Sequence, residues 1–221
     1  MFKIRCSSIG HIMAYPDKDV LPKGAETHLK NWSKSKLYSR TKDISSKYLT
    51  KGNEVEEQAI DLLAEYLGGG FLFKNDKFFE DDHMTGMPDV ITSKQVFEIK
   101  SPWDWTTFPA FESKVTTVDY WWQCQGYMAL TGLDFAQLCY VLCDTPEHQI
   151  QREAKSQSWQ LGFEGEVSEE LYNEVERNMT YSDIPLDQRV KIFDIPRDEK
   201  AIQQIRNRVE LCRVYLSELD F

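Results

Sequence analysis

"GMPDVITSKQVFEIKSPWDW", residues 86–105, sets an aspartate after a proline and then, nine residues on, a glutamate and a lysine separated by one isoleucine. Side chains of a strand alternate between its faces, so a strand over "QVFEIK" puts Glu98 and Lys100 on one side and Phe97 and Ile99 on the other. Asp89 belongs to the preceding short strand, and residues 92–94, "TSK", can turn the chain so that the two strands pair. A hairpin of that kind brings Asp89 opposite Glu98 and keeps Lys100 on their face. Two carboxylates and an ammonium then converge beside a buried layer.

That constellation suits hydrolysis of a phosphodiester. Magnesium takes oxygen ligands, commonly one or two carboxylates, with water and substrate phosphate in the remaining positions. Asp89 and Glu98 are the candidate carboxylate ligands and the main-chain carbonyl of Ile99 a third, with Mn2+ as a substitute ion. A cation held there polarises phosphate and acidifies its water, while Lys100 orients the attacking hydroxide or offsets transition-state charge. Pro88 fixes its own φ and restricts Met87, steadying the backbone before Asp89. The plainer alternative is an ordinary turn at Asp89 and an exposed ion pair between Glu98 and Lys100. On these residues alone, both readings stand.

Outward from this stretch, 221 residues suit one domain with a substantial core, residues 1–221. No run of about 18 apolar residues is present to span a bilayer, and "MFKIRCSSIGHIMAYPD" lacks an export signal. A soluble, cytoplasmic protein is expected, with no membrane partner. The five cysteines, Cys6, Cys124, Cys139, Cys143 and Cys212, contain no CxxC pair and are expected as reduced core residues. Their scatter argues against structural zinc or an iron–sulfur cluster.

"NEVEEQAIDLLAEYL" spaces Val55, Ala59, Leu62, Leu63 and Tyr66 as a helix, stopped by Gly68-Gly69-Gly70. "FLFKNDKFFE", "MPDVIT" and "QVFEIK" read as strands, and "AETHLKNWSKSKLYSRTKDISSKYLT" as polar and helix-tolerant. A helix over about 118–130 and a doubly buried strand "FAQLCYVLCD" come next. An acidic helix near 167–179, a strand "RVKIFDI" and a last helix over about 197–219 complete the chain. The order is α/β, a central mixed β-sheet flanked by helices.

The formal net charge is −10, against a nucleic-acid partner at first sight, since phosphate binding relies on Lys and Arg. Yet Thr27–Asn53 holds Lys30, Lys34, Lys36, Arg40, Lys42, Lys47 and Lys51 against Asp43 alone, a local +6. A basic face on an acidic body and a merely solvated helix are both compatible with this segregation.

Taken together, Pro88-Asp89 and Glu98-Ile99-Lys100 resemble the motif of the PD-(D/E)xK nucleases, which have a restriction-endonuclease-like core. "GNEVEEQAIDLL", with Gly52, Glu56 and Ala59, is similar to the helix motif of the phage lambda exonuclease and YqaJ-like viral recombinase branch. "YWWQCQGYMALTG", with Gln123, Gln125, Tyr127 and Met128, is similar to that branch's helix after the catalytic lysine, and "RCSSIGHIM" to its opening segment. The resemblance implies a metal-dependent exonuclease that digests one strand of linear duplex DNA from 5′-phosphorylated ends. It also implies a homotrimeric ring around DNA and a single-strand annealing partner in phage-type recombination. Glu56 would reach a metal-bound water, and Glu56, Asp89, Glu98, Lys100 and Gln123 form the candidate catalytic set. A ring would reconcile a basic lining with an acidic exterior.

Residues three or four apart share a helix face, so Gln123 pairs with Tyr127, and Tyr120 joins it at the site; Gln125 is expected to face solvent or a partner. Arg5 is the candidate 5′-phosphate contact, with Ser7 or Ser8 as hydroxyl donors. "KIRCSS" as a simple helix start remains equally open. The aromatics of "SPWDWTTFPAF" suit core, subunit interface or stacking on bases. His83 in its polar turn is expected to have no catalytic part. The acidic run Glu164, Glu166, Glu169, Glu170, Glu174, Glu176, Asp183 and Asp187 is a solvated face or a docking surface for a basic partner. Two other functions fit the same core: a structure- or sequence-specific endonuclease, and a non-catalytic DNA-binding module.

Overall fold

The computed structural model describes residues 1–41, 46–163 and 165–219. Lys42 and Asp43 of the basic segment and Glu164 of the acidic run lie outside the described residues. A four-stranded sheet runs β4 (Val90–Ile91), β5 (Val96–Lys100), β6 (Phe135–Val141), β7 (Val190–Pro196). The β4–β5 hairpin is antiparallel, β5–β6 parallel and β6–β7 antiparallel, so the sheet is mixed. Parallel neighbours need a crossover, and α4 (Val118–Thr131) supplies it. Gly132, at φ 74°, ends that helix in the left-handed conformation that permits the turn into β6.

Alternation along the strands builds two separate apolar layers. Val96, Ala136, Leu138, Tyr140, Phe193 and Ile195 pack with Trp122, Tyr127 and Met128 of α4. Phe97, Ile99, Cys139, Val141 and Val190 pack with Val55, Ala59, Ile60 and Leu63 on the opposite face. The helix there is α3 (Glu56–Tyr66), joined through Val55 to α2 (Lys47–Glu54). The expected single helix is thus broken: Val55 sits at φ −100°, ψ 6°, and the poor helix formers Gly52 and Asn53 precede it. Tyr66, expected on the apolar face, is exposed.

A second, three-stranded sheet orders β1 (Ile4–Arg5), β3 (Met84–Gly86) and β2 (Phe79–Glu80). Of "FLFKNDKFFE" only Phe79–Glu80 is strand, apart from an isolated bridge from Lys74 to Val90. After β1, a 3-10 segment, Cys6–Ile12, lies against α4 together with α1 (Lys23–Leu37) and the last helix α7 (Glu199–Ser217). A helical pair absent from the sequence reading in its first member, α5 (Glu147–Gln160) and α6 (Glu169–Met179), closes on Ile150, Ala154, Val175 and Met179. No helix among the described residues is long and apolar enough to cross a membrane.

Two sequence expectations change and one holds. Gln125 faces neither solvent nor partner; it is fully buried, donating to the Pro196 carbonyl at 2.9 Å and accepting from the Asp198 N–H at 2.9 Å. It ties α4 to the β7–α7 junction. Lys51 leaves the basic face and is buried, while Lys30, Lys34, Lys36, Arg40 and Lys47 are exposed. The five cysteines are buried and free, as expected.

The 3-10 segment approaches α4 closely enough to demand glycine. A Cβ on Gly126 would stand 2.5 Å from Ile9 Cδ1 and 2.9 Å from Cys6 Sγ. Gly126→Ala should therefore cost about 1–3 kcal/mol in denaturant unfolding, as overpacking does; an unchanged midpoint would show that the segment is loosely held.

Candidate active site

Glu98 is 2% exposed, at the centre of β5. A carboxylate so placed must be compensated, because desolvation of an unpaired charge is costly. Its Oε1 accepts from Lys100 Nζ at 2.5 Å and from Gln123 Nε2 at 2.7 Å. Gln123 also donates to the Tyr127 hydroxyl at 2.9 Å, so one turn of α4 holds the amide in place. The second oxygen, Glu98 Oε2, is buried without a hydrogen-bond partner among the described residues.

Asp89 sits one residue before β4, and its Oδ2 accepts from the Ile99 N–H at 2.7 Å. The backbone on its other side is clamped by Asn75, whose N–H donates to the Asp89 carbonyl at 2.8 Å and whose side chain donates to the Pro88 carbonyl at 3.0 Å. Burial, then the nearby Glu98 charge, push the Asp89 carboxyl up to about 8, against the pull of the Ile99 N–H and Lys100. Burial disfavours the Lys100 ammonium, but Glu98 overrides it and holds the lysine charged beyond its ordinary range. Its Nζ stands 4.5 Å from the centre of the Tyr120 ring. Held charged by Glu98, the lysine is available as an electrostatic group and hydrogen-bond donor.

These groups open onto a cleft of about 520 Å3 lined by Glu56, Asp89, Glu98, Ile99, Lys100 and Tyr120. One wall is α2, through Tyr48, Leu49, Gly52 and Asn53; another is the segment after Lys100, through Ser101, Pro102 and Trp103. Beneath them lies Lys51, whose Nζ donates to the Trp103 carbonyl at 2.8 Å and stands 5.5 Å from the Tyr181 ring centre. Burial pushes its ammonium down to about 8, more than nearby Cys143, Asp104 and Asp144 restore.

Glu56, first residue of α3, points at the cleft but is engaged by Lys74 Nζ at 2.5 Å. Gln123 is buried behind Glu98 and does not line the cleft. Arg5, Ser7 and Ser8 stand on β1 and the 3-10 segment, also outside the lining, with Arg5 and Ser7 exposed. His83 pairs with Glu210 at 2.9 Å. Of the aromatics after Lys100, Trp103 and Phe108 pack inward while Trp105 and Phe111 are exposed. Tyr140 of β6, Thr116 and Thr117 of the loop before α4, and Lys74, the partner of Glu56, were not singled out from sequence; the loop residues carry no periodicity that marks them.

The donor set suits a hard divalent cation. It offers two adjacent carboxylates, one with an orphaned buried oxygen and one raised by burial and by the charge of the other, both of which a bound cation would offset. Among the described residues no group of three or more His, Cys, Asp and Glu forms a denser metal cluster.

The mixed sheet, its crossover helix and the Asp89/Glu98/Lys100 hairpin site define a PD-(D/E)xK nuclease fold. No family model matches the sequence, and no curated protein matches it either. Among solved structures, a phage-related exonuclease from Haemophilus somnus 129PT superposes with a TM-score of 0.78 at 27% identity, over 98% of this chain and 94% of that one. An alkaline exonuclease from Laribacter hongkongensis superposes at 0.66 and 16% identity, over 97% and 88%. The same enzyme in complex with dAMP gives 0.65 at 17% identity, over 97% and 88%. The first likeness supports the lambda-exonuclease-like branch of that fold and a nuclease function, and the other two share the fold.

Asp89 has a measurable signature in metal-free protein. Between its ordinary value of 3.8 and about 8, the folded protein keeps a proton that the unfolded chain has released, so stability falls as pH rises through that window. In EDTA, Asp89→Asn should melt higher than the native protein, by a margin of a few degrees that widens from about pH 5 to about pH 8. Parallel melting curves across that range would mean that Asp89 titrates as an ordinary carboxylate.

Proposed function

We propose that the protein is a magnesium-dependent exonuclease that degrades one strand of linear double-stranded DNA in the 5′-to-3′ direction from 5′-phosphorylated ends. The observation that carries the reading is the pairing of Asp89 with Glu98 across the hairpin, with Lys100 held charged on the same face of the cleft. Asp89, Glu98 and the Ile99 carbonyl would hold the Mg2+, or Mn2+ in its place, with Glu56 acting through water. When bound, that cation supplies Lewis-acid polarisation of the scissile phosphate and a more acidic water. Lys100 donates to the oxygen that gains charge in the transition state, and Gln123 keeps Glu98 oriented toward the cation. Tyr120 shields the lysine from bulk water on the cleft wall.

Arg5, Ser7 and Ser8 are proposed to take the 5′-phosphate from a DNA end that reaches the cleft over the β1 side. Arg5 and Ser7 are exposed and Ser8 half-buried, which leaves the first two free to do so. A single nuclease domain, assembled as a homotrimeric ring, would turn the exposed lysines of α1 toward the duplex and leave the acidic α6 outward for a basic partner. A single-strand annealing protein that takes up the remaining strand would place the activity in phage-type recombination, in the cytoplasm.

Linear duplexes with 5′-phosphate or 5′-hydroxyl ends, and closed circles, incubated with Mg2+ or EDTA, test the reading. Mononucleotides should appear from phosphorylated ends with Mg2+ only; nicked circles would favour the endonuclease alternative, and binding without turnover the non-catalytic one. Lys100→Ala should lower turnover more than about 100-fold while duplex binding in EDTA persists, because the lysine acts in the chemical step. Loss of folding together with activity would identify Lys100 as structural.

A further inference from the structure

Behind the cleft lies a second groove of about 610 Å3 between α2 and α5, lined by Ser46, Lys47, Thr50, Trp103, Gln149, Arg152, Glu153 and Ser156. Trp103 belongs to both hollows, and α2 is the ridge between them, turning Tyr48 and Leu49 to the cleft and Lys47 and Thr50 to the groove.

Three independent features of this groove fit one chemistry. Gln149 is 4% exposed; its Nε2 donates to Glu54 Oε2 at 2.8 Å, and its Oε1 is buried with no partner among the described residues. Since Glu54 accepts, the amide orientation is settled and Oε1 needs an N–H or O–H donor. Two cations frame the opening. Lys47 stands 4.8 Å from the Trp103 ring centre and pairs with Glu153 at 2.9 Å, and exposed Arg152 has no ion-pair partner among the described residues. The indole of Trp103 is only half-buried and supplies a flat face. Lys47, Arg152 and Glu153 sum to a local charge of +1 in a chain of net −10.

We propose that the groove binds single-stranded DNA, as a track for the undigested strand as it parts from the duplex at the cleft. Phosphates sit against Arg152 and Lys47, a base lies on Trp103, and a base N–H donates to Gln149 Oε1. Lys47 exchanges its contact with Glu153 for a phosphate oxygen as the strand enters. Interleaved cations and aromatic faces are the general means by which proteins hold single strands without reading sequence. The proposal rests on the nuclease reading for the strand's origin, whereas its binding chemistry belongs to the groove alone.

The test is fluorescence anisotropy of a labelled oligothymidylate of about 12 nucleotides in EDTA, which prevents cleavage. Arg152→Glu should weaken binding by about 10-fold or more and flatten its salt dependence by about one phosphate contact. Lys200→Glu, the same charge change on exposed α7 away from the groove, should weaken it by less than about twofold. Gln149→Leu should weaken the oligothymidylate more than an abasic strand of equal length, because only the former offers a base N–H. Equal losses for Arg152→Glu and Lys200→Glu, or native affinity for Arg152→Glu, would overturn the track. Native protein that binds the strand through Arg152 yet never cleaves DNA would leave the track standing and remove the nuclease reading. Cleavage with an Arg152-independent affinity would do the reverse.

Discussion

A carboxylate removed from water in the middle of a sheet constrains everything around it. Glu98 can remain on β5 only because Lys100 and Gln123 both reach one of its oxygens. That requirement fixes which face of β5 meets α4, and it fixes the rotation of α4, since Gln123 must point at the strand while Tyr127 supports it one turn later. The approach of Cys6 and Ile9 to Gly126 then follows, because the segment after β1 packs directly over that turn. The oxygen left unpartnered is the residual cost, and it is the donor that the proposed cation would take.

The cleft walls solve a second problem, the placement of a broken helix against an irregular loop. α2 and the segment after Lys100 have no sheet to align them, and Lys51 joins them by donating to the Trp103 carbonyl. The charge on Lys51 is expensive in that setting, as its lowered pKa shows. A ligand-lining wall tied down by a buried ammonium has a defined width, at some expense of stability. Asn75 does the same for Asp89 with neutral groups, holding the backbone on both sides of Pro88–Asp89.

Charge is distributed in keeping with an anionic polymer as ligand. Lys30, Lys34 and Lys36 are exposed on α1, whereas Glu169, Glu170, Glu174 and Glu176 are exposed on α6. The groove's Lys47, Arg152 and Glu153 give a local field opposite in sign to that of the whole chain, whereas the cleft's Glu56, Asp89, Glu98 and Lys100 share the chain's negative sign.

The sequence by itself determined the parts whose period is regular and whose burial is one- or two-sided: β5, α4, β6, β7 and α7, and with them the convergence of Asp89, Glu98 and Lys100. Alternation carries that information locally, because a strand's two faces are set by its own geometry. Other features came only with the tertiary structure. The polar α5 has too few apolar positions to show a period, and it is a helix because Ile150 and Ala154 find Val175 and Met179 on α6. β1 and β3 are too short to be read alone and exist through their pairing. Gln125 and Lys51 looked like solvent-facing residues because side-chain polarity predicts exposure only where no distant carbonyl is available; Pro196 and Trp103 supply those carbonyls from 71 and 52 residues away. Contacts across such separations are decided by how the layers close, and a local pattern holds no record of them.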